Sequence, residues 1–81
     1  MSKKDKQFLR LLHKKTLSSD EAVRLLEIDG WYEDPDNPTE GSHYHMLHPS
    51  KSGKITIPLG RKALKQKTLD SILSNAGLKG N

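Results

Sequence analysis

The 81-residue sequence predicts an α+β domain, a three-stranded antiparallel sheet carrying two main helices on one face. Three observations predict it. A helical apolar stripe follows a capping signal at Ser18 and Glu21. Two segments, 42–48 and 54–59, alternate in side-chain character across a Pro/Ser/Gly turn. A second helical stripe near the end stops at Gly77.

The elements follow in order. Residues 5–15 carry Phe8, Leu9, Leu11 and Leu12 among basic residues, a short helix with one apolar stripe. It is too short to stand alone, so it either packs on something or remains a basic arm. The next helix opens with the capping box. Asp20 and Glu21 suit the positive end of its dipole. Ala22, Val23, Leu25, Leu26 and Ile28 form its buried stripe, and Gly30 is placed to end it in a left-handed conformation. Trp31 and Tyr32 begin a short strand. The stretch DPDNPTE, 34–40, breaks regular structure. In the second strand His43, His45 and Leu47 point one way and Tyr44, Met46 and His48 the other. In the third, Ile55 and Ile57 face the core and Lys54 and Thr56 face out. Residues 60–67 are a basic connection, and Thr68 is placed to cap the last helix. Leu69, Ile72, Leu73 and Ala76 are its stripe, and Gly77–Leu78 suits a Schellman ending.

Two parts are expected: a basic, partly helical extension over 1–17 and one small domain over 18–79. There is no cysteine, which removes disulfides and thiolate metal sites. No apolar run is long enough to span a bilayer, and the basic N-terminus lacks a hydrophobic signal segment. The expectation is a soluble, cytoplasmic protein. The net charge of +4 is unevenly spread. Residues 1–17 carry +5, residues 18–40 carry −7 and residues 41–81 carry +6. Clustered positive charge suits nucleic-acid phosphates, and equally a solvated basic face.

The segment GSHYHMLHP, 41–49, concentrates histidine. His43 and His45 share a strand face, which would allow two imidazoles on one ion. A firm metal site needs three or four ligands, and His48 falls on the other face. Histidine is also an ordinary strand residue, and His48 before a proline can simply close a turn. The third reading is acid–base chemistry on RNA. Imidazole titrates near neutral pH, and RNA supplies its own nucleophile in the 2′-hydroxyl. Lys51, Lys54, Arg61, Lys62, Lys65 and Lys67 are the cations at hand for phosphate. On the residues alone these readings stay open.

The ordered set DGW (29–31), GSHYHMLHP (41–49), GKITIP (53–58), LKQKTLDSIL (64–73) and NAGL (75–78) resembles the HicA toxin family over about residues 19–79. The resemblance implies a dsRBD-like fold of helix, three strands and helix. It implies a metal-independent ribonuclease that cleaves mRNA and inhibits translation, neutralised by a HicB-like antitoxin. The family's catalytic histidine falls on His43, and the glycine of its motif on Gly41. The RNA-binding set expected with it is Gly41, Ser42, His45, Lys51, Lys54, Arg61, Lys62, Lys65 and Lys67, with no cofactor and no metal. The chain departs from the family pattern in an acidic loop before Gly41, in Gly60, and in Lys67 where the family has glycine. Two other functions fit the same residues: an RNA-binding module of this fold without chemistry, and a charge-driven protein-interaction domain.

Overall fold

The computed structural model describes residues 6–79. Its elements are α1 (Lys6–His13), α2 (Ser19–Asp29), β1 (Tyr32–Glu33), β2 (His43–Leu47), β3 (Ile55–Pro58) and α3 (Gln66–Asn75). The three strands form one antiparallel sheet in the order β1-β2-β3. This is the expected α+β, dsRBD-like arrangement with an extra helix in front.

The register follows the side-chain alternation. Tyr44 pairs with Ile57 and Met46 with Ile55, so these face the helices. Met46, Ile55 and Ile57 are buried against Ala22, Leu25 and Leu26 of α2 and Leu69 and Ile72 of α3. His43 pairs with Pro58, and His45 with Thr56, on the opposite face. Tyr32 pairs with Leu47 on that same face. A one-residue slip would exchange the two faces, so the apolar set fixes which histidines are presented outward.

α2 begins with the capping box foreseen at Ser18. The Ser18 hydroxyl accepts from the Glu21 amide at 3.1 Å, and the Glu21 carboxylate accepts from the Ser18 amide at 2.9 Å. Lys14 pairs with Glu21, and this contact, with the Ser18 amide, holds the Glu21 carboxyl below the usual range. α1 is a packed helix: Phe8 and Leu11 join the same core as α2 and the sheet, and Leu17 follows them into it. The basic segment is thus tied to the fold by apolar burial.

Both main helices end alike. Gly30 has φ +108°, with its amide on Glu27 O and the Trp31 amide on Leu26 O. Gly77 has φ +72°, with its amide on Ser74 O and the Leu78 amide on Leu73 O. These are Schellman closures, which satisfy the last carbonyls of a helix. The start of α3 differs from expectation. Its N-cap is Lys65, without a side-chain cap bond, and Thr68 lies one turn inside. The Leu64 amide is bonded to Leu17 O at 2.8 Å, so a tertiary anchor starts the helix before Thr68 is reached. Trp31 also departs from the expectation of a strand residue. It belongs to the α2 closure, and the strand begins at Tyr32. No helix among the described residues is long and apolar enough to cross a membrane.

The α2 closure is crowded as well as left-handed. A Cβ at Gly30 would lie 2.8 Å from His48 Nε2. Gly30→Ala should therefore cost the left-handed penalty of about 1–2 kcal/mol and a displaced His48 besides. Thermal unfolding should show a melting temperature lower by at least about 4–8 °C. An unchanged melting temperature would contradict this account of the helix end.

Candidate active site

The open face of the sheet carries His43, His45, Lys54 and Thr56 together. His43 is the first residue of β2 and is exposed. Its ring Nδ1 lies 3.4 Å from the Ser42 hydroxyl, at the long end of hydrogen-bond distance. Gly41, before it, has φ +71° and open space around the position of a Cβ, so backbone conformation and not crowding calls for glycine.

His45 is half-buried, and its Nδ1 lies 2.9 Å from Thr56 Oγ1 on β3. A threonine hydroxyl can donate to this nitrogen or accept from it, so the contact fixes the ring in either charge state. On the far side of β2, the Asp34 amide donates to His45 O at 2.9 Å. The Asp34 carboxylate is buried in its own loop. Bonds from the Asn37 side chain and the Asp36 amide, with Lys54 3.7 Å away, hold its carboxyl below the usual range. Glu33 is likewise engaged, accepting from the Thr39 amide and hydroxyl. Two of the acids flanking the site are therefore spent on shaping the loop before Gly41. Asp36 and Glu40 are exposed.

A buried serine joins the histidine end of the sheet to the basic connection. Ser19 is 2% exposed. Its hydroxyl donates to Pro58 O at 2.6 Å and accepts from the Arg61 amide at 2.9 Å. The Ser19 amide in turn donates to Arg61 O at 3.0 Å. Pro58 sits opposite His43, and the Leu59 amide donates to Ser42 O at 2.7 Å. One side chain thus clamps the turn that holds Ser42 and His43 on one side and launches Arg61 on the other. Arg61, Lys62 and Lys65 are exposed along this connection. Arg61 and Lys65 line a depression with Pro58 and Thr68. Lys67, in the first turn of α3, lines an adjoining depression with Thr56, Thr68 and Asn75.

Lys51 lies elsewhere. It is in the β2–β3 turn, at the opposite end of β2 from His43. Its ammonium bonds Asp29 Oδ2 at 2.7 Å and Ala76 O at 2.8 Å. The structure brings His43, His45 and Lys54 onto one face and Arg61, Lys65 and Lys67 to depressions along its β3 border, with Lys62 exposed on the same connection. Lys51 is committed to the helix ends. His48 is also structural. Its Nδ1 accepts from the Ser50 amide at 3.1 Å, so Nε2 carries the proton and donates to Asp29 O at 2.8 Å. Its ring meets Trp31 edge-on, with centroids 5.2 Å apart. Among the described residues no group of three or more His, Asp or Glu is arranged to hold a metal ion.

Sequence reasoning missed Ser19 and the Thr56 contact. Ser19 stands beside an obvious capping serine and carries no pattern of its own. Thr56 becomes visible only once the β2–β3 register places it opposite His45.

The chain is thus a small dsRBD-like domain with a Gly-Ser-His segment leading onto its open sheet face. The family model described as HicA toxin of bacterial toxin–antitoxin matches residues 19–78. The chain belongs to the HicA toxin family. No curated protein matches the chain.

Ser19→Ala should leave Pro58 O and the Arg61 amide without their partner. The expected cost is about 1–3 kcal/mol, read from chemical denaturation. Amide exchange at Arg61 should accelerate well beyond the change at Leu26 in the core. Uniform acceleration at both positions would show that Ser19 does not act locally on this turn.

Proposed function

We propose that the chain is the toxin of a type II toxin–antitoxin pair, an endoribonuclease that cleaves mRNA and so inhibits translation. The observation that carries the reading is the placement of His43. It is exposed on the open sheet face, at the end clamped by Ser19 to the cations Arg61, Lys62 and Lys65. Membership of the HicA family supports the same assignment.

In this reading His43 acts as general base or acid in transesterification at the 2′-hydroxyl. The 2′-oxygen attacks the adjacent phosphorus, the bond to the 5′-oxygen breaks, and a 2′,3′-cyclic phosphate and a 5′-hydroxyl result. The reaction uses protein groups alone, with no resident metal. Gly41, Ser42, His45, Lys54, Arg61, Lys62, Lys65 and Lys67 contact the RNA. Lys51 joins them only through the part of its surface that the Asp29 pairing leaves in water. Backbone phosphate and shape, more than base edges, govern recognition on such a fold. A HicB-like antitoxin in the same cytoplasm covers the open face.

Induced expression of wild type should arrest growth with loss of intact mRNA. His43→Ala, shown to fold by its melting curve, should abolish both, because a positioned proton-transfer group contributes about 10²–10⁴-fold. Equal toxicity of the two proteins would remove His43 as the catalytic residue. A harmless wild type would favour a binding module without chemistry.

A further inference from the structure

Cleavage by this route needs two proton transfers, one from the attacking 2′-hydroxyl and one to the departing 5′-oxygen. A single imidazole must serve both ends of one phosphodiester or leave one of them to water. The open face holds a second candidate. His45 follows His43 by two residues on β2, so their backbones stand about 6.5–7 Å apart and their rings project to the same side. That spacing leaves room for one phosphodiester between the rings. His45 is also the better oriented of the two. Thr56 holds its Nδ1 at 2.9 Å, which leaves Nε2 as the nitrogen available to a ligand, whereas His43 has only the 3.4 Å contact from Ser42. A base or acid oriented by a third group is a recurring arrangement in proton-transfer sites.

We infer that His43 and His45 divide the two proton transfers, with Thr56 as the positioning residue of the pair. This rests on the ribonuclease reading above and replaces its lone histidine with two. One imidazole takes the proton of the 2′-hydroxyl as the 2′-oxygen bonds to phosphorus. The other, entering as imidazolium, gives its proton to the 5′-oxygen as the P–O5′ bond breaks. After product release both exchange with solvent and return to their starting states. The groups facing this pair are Tyr32 and Asp34 from the β1 side, the exposed Glu40, whose backbone bridges that of His43, and Lys54 and Thr56 from the β3 side. Lys67 of α3 borders Thr56. Lys67 brings positive charge to this border, and Lys54 offsets Asp34 at 3.7 Å.

The test uses the full chain and an RNA oligonucleotide containing a cleavage site mapped with wild type. A second copy of the oligonucleotide carries sulfur in place of the bridging 5′-oxygen at that site. A thiolate leaves without protonation, so this substrate dispenses with the general acid and keeps the need for a base. On the oxygen substrate, His45→Gln and His43→Ala should each lower kcat by about 10²-fold or more. KM should change little. On the sulfur substrate, one of the two variants should recover to near the wild-type rate and the other should not. Thr56→Val should lower kcat on the oxygen substrate, and Thr56→Ser should restore it. His45→Gln with unchanged kcat, or with only a raised KM, would overturn the inference while leaving the ribonuclease reading intact. Recovery of both variants, or of neither, would overturn it as well. A wild type that cuts no RNA would remove the ribonuclease reading and this inference with it.

Discussion

The Asp29 carboxylate is the polar point on which the fold turns. It sits at the C-terminal end of α2 with a side chain only 1% exposed. The helix dipole is unfavourable to a negative charge there, and burial adds the cost of desolvation. Lys51 offsets both at 2.7 Å, and the same ammonium caps Ala76 O at the end of α3. The Trp31 indole donates to the carboxylate at 3.2 Å, and the Asp29 carbonyl accepts from His48. One residue therefore joins the ends of α2 and α3 to the β2–β3 turn. Loss of Lys51 would leave the buried carboxylate with neutral partners such as the Trp31 indole and no paired cation, at a cost of about 3 kcal/mol, the low end for such pairs because Lys51 keeps a third of its surface in water. Against roughly 4–12 kcal/mol for a chain of this length, that is a large share.

The opposite end of the sheet is closed by Ser19, a neutral group. The two ends thus meet different needs. At the Asp29 end a charge pair fixes the helices and occupies Lys51 and His48. At the Ser19 end a hydroxyl fixes the backbone of 58–61 and leaves Arg61 and its neighbours exposed. Between them lies the apolar core, including Phe8, Leu11 and Leu17 from the N-terminal segment. That core sets the register of β2, and the register puts His43 and His45 outside. Leu17 O also anchors Leu64 just ahead of α3, so the N-terminal segment helps set the course of the basic connection.

Local signals were legible in the sequence because they act over three or four residues. The Ser18–Glu21 box, both glycine closures and the alternation of β2 and β3 are of this kind. Thr68 misled because a hydroxyl at the right spacing is outranked by the backbone bond that Leu64 donates to Leu17 O, forty-seven residues before Leu64 in the chain. Trp31 misled because the residue after a Schellman glycine folds back on its helix before any strand can start. At the site, the motif and the family resemblance led to His43. The separation of Lys51 from the other cations was hidden, since nothing local marks Asp29 as buried. The same holds for Ser19 and Thr56, whose partners lie across the sheet.

The proposed chemistry, in which protein groups on the open sheet face cut RNA through the 2′-hydroxyl, fixes the ends of its products. End-group analysis of RNA cleaved by purified protein in excess chelator tests it most directly. The expected products carry 2′,3′-cyclic phosphate and 5′-hydroxyl termini and form at the same rate with and without chelator. Termini bearing 3′-hydroxyl and 5′-phosphate, or cleavage abolished by the chelator, would contradict it.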